Sequence, residues 1–322
     1  MKFLYRRIIT YIIVLFAVIN ITFFLPRFAP GNAADIIAGA TRLPNEASKI
    51  IATRFGLDQP LSTQYFDFLK NVFLTWPPYL GVSYNYFPAT VTQLFAVRVG
   101  WTMLLILASI GVGEFVTYFM AAFSAMRRGG KFEIGSLYSS IMFNSIPLFW
   151  LSMILLYVFS IVLGWFPIFG ATGFSPGSGV NYYLDVIWHA VLPVAALSLS
   201  VIGESFLIMR GSMQEVLKSD YVLAAKSRGL SNWILSSRYV LRNSMLPLVA
   251  VISFSLASLI SREVLVEVIF GYPGIGDLLV DAILGRDFPV LQGSLLLTTI
   301  MVIAGGIVGD IILTRLDPRL KK

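Results

Sequence analysis

The sequence predicts an all-α integral membrane protein, and three observations support that prediction. Of its 322 residues, 57% are hydrophobic and only 13% are charged, whereas a soluble domain is nearer half apolar and a quarter charged. Six apolar stretches are each long enough to cross a bilayer, which takes about 20 residues per helix. Basic residues gather in alternate segments between these stretches. A soluble fold of this size could not bury so much apolar surface.

The chain is expected to form one transmembrane domain over residues 1–322. The six spans are predicted at residues 8–25, 101–125, 134–163, 190–209, 246–270 and 290–313. The first apolar run is longer than the core of a secretion signal, and no small-residue cleavage site follows it cleanly, so we expect an uncleaved helix. Pro147 should kink the third span because a proline removes one helical hydrogen bond.

The distribution of basic residues predicts the orientation. With the N-terminus inside, 16 Lys and Arg residues lie in inner segments, 7 lie in outer ones and Arg262 falls within a span. Six of the seven outer residues belong to the long segment 26–100 or its edges, and long loops weigh little in this rule. We therefore expect a multi-pass protein of the cell membrane with both termini in the cytoplasm.

Composition also excludes several kinds of function. The net charge of +7 reflects basic residues held on the inner face and gives no reason to expect a nucleic-acid partner. The chain has no cysteine, which removes thiol nucleophiles and Cys-ligated zinc, and a single histidine, His189, cannot form a His-rich metal site. An intramembrane hydrolase is a weak alternative, because there is no H-E-x-x-H or G-x-S-x-G motif and no lysine within the spans.

Segment 210–245 has the pattern of two short helices beneath the membrane. Ser219 or Asp220 can cap the first helix, and Gly229 is placed to take the left-handed position after it. Ser231 can cap a second helix running to about Asn243. Ala224 and Ala225 should leave one face of the first helix small. A capped, flat-faced loop of this kind indicates a surface on which another protein docks.

Motifs in nearly the whole chain resemble those of binding-protein-dependent ABC import permeases. In this loop they are Asp220-Tyr221, Ala224-Ala225, Gly229-Leu230, Arg242-Asn243 and Leu246-Pro247. Elsewhere they are Ala29-Pro30-Gly31, Gly56 to Leu61, Gln64-Tyr65, Ser145-Ile146-Pro147, Leu163 to Pro167, His189, Leu192-Pro193, Glu267, Phe270, Pro273-Gly274, Gly276, Arg286-Asp287 and Asp317-Pro318-Arg319. Within that family the spacing from Gly229 to Pro247 resembles the dipeptide/oligopeptide branch. The motifs taken together resemble the B-type, or first, of the two permeases in such an importer.

The resemblance implies a type I importer permease fold and a set of partners. These are a second, C-type permease, two ATPase subunits on the cytoplasmic side and an extracytoplasmic solute-binding protein. The residues implied in coupling to the ATPases are Asp220, Tyr221, Ala224, Ala225, Gly229 and Leu230. Leu223 departs from the pattern, because the general motif has Glu there. The external segment 26–100 is expected to help seat the solute-binding protein.

The same resemblance places ATP and Mg²⁺ on the ATPase subunits and no cofactor on this chain. The glycine-rich run Gly271–Gly276 has no lysine and so is not a phosphate loop. The expected cargo is an oligopeptide or an oligosaccharide, and nickel also occurs in this branch. A secondary transporter driven by an ion gradient is the other alternative.

Ionisable side chains within the predicted spans should face the bundle interior or one another, because a charge facing lipid costs about 2.5–3.5 kcal/mol. Asp310 should anchor a helix end. Arg262 is expected to reach Glu204 or the partner permease, and Glu263 to line the substrate path. Whether the set marks the pathway or fixes helix packing stays open. The candidates are Glu114, Glu204, Arg262 and Glu263.

Overall fold

The computed structural model describes residues 2–28, 53, 58–231, 234–235, 238–239 and 245–316. Within these ranges the secondary structure is helical, apart from one isolated antiparallel bridge between Val82 and Thr90. The helices are α1 (Lys2–Phe28), α2 (Leu61–Phe73), α3 (Val91–Met126), α4 (Lys131–Ser145), α5 (Leu148–Leu155), α6 (Val180–Leu217), α7 (Asp220–Ser227), α8 (Met245–Phe270), α9 (Ile275–Leu284) and α10 (Phe288–Leu316). The all-helical class is confirmed.

Several of these helices have the length and apolarity of membrane spans. In the described part of the chain these are Arg7–Phe24, Val91–Met126, Val180–Leu217 and Phe288–Ile312, with a fifth if the bent pair α4 and α5 forms one span. The predicted span 246–270 coincides with α8, whose 26 residues extend about 39 Å at 1.5 Å per residue. The count of six spans stays a prediction.

Pro147 does more than kink the third predicted span. Helix α4 ends at Ser145, α5 begins after Pro147, and the two are bent by 104°. The break occurs because Pro147 has no N–H to donate and restricts Ile146 before it. Ile146 accordingly has an extended backbone, with ψ 123°. Beyond α5 the chain continues as a π-helix over Leu156–Val162.

Helix α3 begins ten residues before the predicted span. Thr90 and Gln93 form a reciprocal capping box, in which Gln93 Oε1 accepts from the Thr90 N–H at 2.9 Å and Thr90 Oγ1 accepts from the Gln93 N–H at 3.3 Å. This pair satisfies two amide groups at the helix start. The polar first turns of α3 thus belong to the helix, although they are not apolar enough to show in a hydropathy pattern.

The chain divides into two compact units. The first comprises residues 1–8, 101–273 and 301–322, and the second comprises residues 9–100 and 274–300. In the first unit α6 packs against α4, α5 and α8, around a core that includes Leu105, Leu197 and Leu259. A second cluster in that unit surrounds Phe206 and Met209.

The second unit has its own core. The first turns of α3, the helix α9 and the start of α10 pack together through Val91, Phe95, Leu278 and Val290. Helix α2 packs on the last turns of α1, where the ring of Phe23 contacts those of Tyr65 and Phe68 with centroid separations of 5.0 and 5.6 Å. Neither α2 nor α9 is long enough to cross a bilayer.

Candidate coupling and pathway sites

Helix α7 lies where the sequence predicts the first helix of the cytoplasmic loop. It runs from Asp220 to Ser227 with Ser219 at the N-cap position. The capping bond itself is absent, because the Ser219 hydroxyl donates to the Val216 carbonyl at the end of α6 instead. The carbonyl of Ser219 accepts from the N–H of Val222 at 3.0 Å. Ser219 therefore ties the two helices closely together.

The two alanines of α7 do not share a face, which corrects the expectation of one small surface. Successive helical residues point about 100° apart, so Ala225 is buried and Ala224 is exposed. Ala225 packs with Val222 and Leu235, and Leu230 joins this cluster from the following turn. Ala225 is thus buried within the loop, and Leu230 is partly buried against it.

The outward face of α7 is partly apolar. Tyr221 and Leu223 are 46% and 51% exposed, and Asp220 and Ala224 lie on the exposed side with them. The ring of Tyr221 stacks on that of Tyr239, with the ring centroids 6.5 Å apart. An exposed apolar face beside a carboxylate is suited to contact with another protein.

Gly229 follows α7 in a left-handed conformation with φ +74°, as the sequence predicts for a residue ending this helix. No atom lies within 4 Å of the position that a Cβ would take. The requirement for glycine there comes from the backbone angle and not from crowding. Most of the second helix predicted from Ser231 to Asn243 lies outside the described residues.

Arg262 on α8 and Glu204 on α6 form an ion pair. Arg262 Nη2 donates to Glu204 Oε2 at 3.0 Å, and Nη1 also contacts the carboxylate. Ser200 and Ser258 add hydrogen bonds to the guanidinium at 3.3 and 3.0 Å. The two charged side chains are 32% and 26% exposed in the single chain. The pair therefore lies at a surface of the first unit.

Glu114 is buried and joins three helices. Its Oε1 atom accepts hydrogen bonds from Ser205 on α6 at 2.8 Å and from Ser255 on α8 at 2.9 Å. The Ser198 hydroxyl of α6 adds a further bond to the Ser109 carbonyl of α3 at 3.1 Å. These contacts satisfy Oε1 of Glu114, whereas its Oε2 atom is buried without a hydrogen-bond partner in the described residues.

Glu263 is also buried, and its neighbour is a residue that the charge analysis missed. Glu263 and Glu267 are 2% and 0% exposed, lie one turn apart on α8 and interact with each other. Thr102 on α3 donates to Glu267 Oε1 at 2.6 Å. The i, i+4 spacing places both carboxyl groups on one face and could have revealed the pair. In the single chain Glu263 is enclosed by helix packing, whereas the Glu204–Arg262 pair is partly exposed.

Three more ionisable residues form contacts outside these groups. Arg210 near the end of α6 donates from Nε to Glu133 Oε1 on α4 at 3.0 Å, a contact that sequence reasoning missed. Asp310 lies 3.7 Å from the Nε of Arg7. His189 Nδ1 is 2.8 Å from the Asp185 carbonyl, which gives the ring a structural contact.

Asp287 fastens the loop at residues 83–85 in the second unit. Its Oδ2 atom accepts from the N–H groups of Tyr84 and Asn85 at 2.9 and 3.0 Å and from the Ser83 hydroxyl. Its Oδ1 atom accepts from the Val290 N–H at 3.3 Å and so caps α10. Burial, and next the charge of Asp287, raises the pKa of the Tyr84 phenol. One buried carboxylate therefore fixes the loop at residues 83–85.

Comparison with known proteins identifies the family of the chain. Residues 117–322 match the family described as the inner membrane component of binding-protein-dependent transport systems, and residues 1–90 match the N-terminal region of such components. The chain belongs to this permease family. The permease is thus a multi-pass membrane subunit of a transport system and not an enzyme.

Two relatives match the permease along its whole length. The di/tripeptide transport system permease protein DppB of Pseudomonas aeruginosa is 31% identical over 348 residues, covering 100% of this chain and 99% of the relative. The oligopeptide transport system permease protein AppB of Bacillus subtilis is 28% identical over 319 residues, covering 99% of each. The resemblance to the dipeptide/oligopeptide branch is confirmed.

Proposed function

We propose that this permease moves peptides into the cell as part of an ABC importer. The observation that supports the proposal is the match over 98–100% of the chain to proteins named for peptide transport. This favours peptides over the oligosaccharides or nickel that the sequence alone leaves open. The remaining parts of the importer are the C-type permease, two ATPase subunits holding ATP and Mg²⁺, and the solute-binding protein.

Coupling to the ATPases runs through α7. Its exposed residues Asp220, Tyr221 and Ala224 are the docking surface, with Leu223 in place of the glutamate of the general motif. The buried residue Ala225 and the Gly229 turn keep the helix fixed to the end of α6. A movement of the ATPase is thereby passed to α6 as a rigid displacement.

The Glu204–Arg262 pair lines the cargo path in this proposal. Both groups are partly exposed, and the carboxylate of Glu204 keeps acceptor capacity beyond the pair itself. A passing peptide presents carbonyl and amide groups that these side chains can hydrogen-bond in exchange for one another. Glu114 supports the surrounding helices from within through its bonds to Ser205 and Ser255.

Uptake by the reconstituted importer tests the function. The complete complex is placed in liposomes with its solute-binding protein, and uptake of radiolabelled tri- to pentapeptides is compared with uptake of an oligosaccharide. We expect peptide uptake that requires Mg-ATP on the ATPase side. Oligosaccharide uptake alone would contradict the assigned cargo, and peptide uptake driven by an ion gradient without ATP would contradict the ABC mechanism.

A further inference from the structure

Helix α2 contacts one stripe of α1 over the two turns farthest from the N-terminus. The Tyr65 hydroxyl donates to Asn20 Oδ1 at 3.1 Å, and Arg27 Nε donates to Gln64 Oε1 at 3.1 Å. Between these polar contacts lies the ring of Phe23. The stretch of α1 that is apolar enough to cross a membrane runs from Arg7 to Phe24. The contacts therefore place α2 at the depth where the hydrocarbon core meets the headgroups.

The rest of the same stripe of α1 is uncovered in the second unit. At 100° per residue, Ile9, Ile13 and Phe16 lie in line with Asn20 and Arg27 along the helix. Their exposed fractions are 39%, 61% and 64%. These side chains lie within the apolar stretch Arg7–Phe24, so they form an exposed apolar stripe at the depth of the hydrocarbon core. Helix α2 lies at the end of that same stripe.

The surface of α2 turned away from α1 has the composition of an interfacial helix. Phe66 and Phe73 are two turns apart and exposed, and the side chain of Lys70 lies between them. The following residues include Leu74 and Trp76, which are 79% and 93% exposed. Aromatic rings and a long basic side chain are favoured at the boundary between hydrocarbon and headgroups. The lysine can extend toward the phosphates while its stem stays among apolar groups.

We propose that α2 and Trp76 lie at the membrane surface as an interfacial helix, with the Phe66–Lys70–Phe73 face and the Trp76 ring inserted among phospholipid headgroups. This assignment separates two uses of the external segment. The outward face of α2 is taken by lipid, while the loop fastened by Asp287 is left for contact with the solute-binding protein. The assignment depends on the membrane location of the chain and not on the identity of its cargo.

The lack of native cysteine allows a direct test by spin labelling. Phe66→Cys, Phe73→Cys and Trp76→Cys are each labelled in the full importer, in nanodiscs of mixed zwitterionic and anionic phospholipid. Collision with oxygen, which partitions into lipid, is compared with collision with a water-soluble nickel chelate. Phe16→Cys serves as the hydrocarbon control and Gln59→Cys as the water control. We expect all three labels to show an oxygen-to-nickel ratio several-fold above that of Gln59→Cys.

Three results would overturn the proposal. Ratios equal to that of Gln59→Cys would place the face in water. Low collision with both reagents would place it against the second permease, and protection only after the solute-binding protein is added would assign it to that protein. Tryptophan quenching by brominated phospholipid gives a second measurement without cysteine. Part of the tryptophan fluorescence that brominated phospholipid quenches in the unsubstituted protein should be missing from the Trp76→Phe variant. An equal quenched fraction in the two proteins would contradict insertion of this ring.

Discussion

At the scale of single residues, Glu114 shows how one side chain joins helices within the apolar region. Its Oε1 atom accepts hydrogen bonds from serines on two other helices. The role that this geometry defines is that of a double acceptor. A glutamine has a carbonyl oxygen in the same place and can serve both serines.

We therefore expect Glu114→Gln to be tolerated and Glu114→Ala to destabilise the permease. The alanine variant leaves two buried hydroxyls without an acceptor, at about 1–3 kcal/mol for each unsatisfied group. The measurement is the midpoint of thermal unfolding in nanodiscs. Equal losses for both variants would show that the charge, and not the acceptor geometry, is what matters.

The Glu204–Arg262 pair gives a second prediction, in the form of a double-mutant cycle. Removing either partner alone leaves a charge in an apolar setting, whereas Glu204→Gln with Arg262→Gln leaves two neutral groups that can still bond. We expect each single variant to be less stable than the double variant, with a coupling energy of about 0.5–2 kcal/mol because the pair is partly exposed. Additive effects in chemical unfolding would show that the pair does not stabilise the helix contact.

Sequence reasoning reached some of these residues and not others for a physical reason. The cost of an unpaired charge in an apolar span identifies Arg262 as needing a partner, and the sequence leaves the choice between Glu204 and a charge on the second permease. The partners of Glu114 are serines, which are common in every span and carry no such signal. The Glu133–Arg210 contact was not predicted because both residues lie just outside predicted spans, where charged side chains are common and need no buried partner.

At the scale of helices, the turn after α7 depends on the backbone angle of Gly229. A β-branched residue is strongly disfavoured at positive φ, at about 1–2 kcal/mol or more. Gly229→Val should displace the loop and lower the stimulation of ATPase activity by cargo-loaded solute-binding protein. Gly229→Asn is the matched control, because asparagine tolerates the left-handed region. Normal stimulation in the valine variant would contradict a coupling role for this turn.

The loop fastened by Asp287 leads to another prediction at this scale. Asp287→Ala removes the acceptor of three buried or half-buried N–H groups and a hydroxyl, and should cost about 2–4 kcal/mol. Amide hydrogen exchange at residues 83–90 should become faster. Asp281→Ala is the control, because Asp281 contacts the same loop by accepting a hydrogen bond from the exposed Tyr86 hydroxyl at 2.9 Å. Unchanged exchange after Asp287→Ala would show that the loop is held by other contacts.

The positions of the helices were predictable where a long apolar run defines them. Their first residues were less predictable, because local hydrogen bonds define where a helix begins. The apolar centres of α3 and α6 follow from hydropathy, but α3 begins at a capping box and α6 begins ten residues before its apolar run. The Thr90-x-x-Gln93 spacing is readable as a helix start. Helix α9 had no comparable signal, since its ten residues are too short for a span and its burial depends on α3 and α10.

At the scale of the whole molecule, the open question is how many times the chain crosses the membrane. Helices α4 and α5 are bent by 104°, so they could form one broken span or a loop that returns to the same side. The basic residues favour a span, because Arg127 and Arg128 precede the pair and Lys131 begins it, while no Lys or Arg lies between Lys131 and Arg210. A broken span puts the two ends of the pair on opposite sides.

Single cysteines in the native cysteine-free chain decide the topology. We expect a membrane-impermeant maleimide to label Ser178→Cys and Leu284→Cys in right-side-out vesicles, and Arg128→Cys and Ser227→Cys only in inverted ones. All four positions are exposed in the structure. If residues 128 and 178 are labelled from opposite sides of the membrane, the bent pair is a span. If residues 227 and 284 are labelled from opposite sides, α8 is a span. Residues 128 and 178 labelled from one side would instead make the pair re-entrant, which would reverse the predicted side of one terminus.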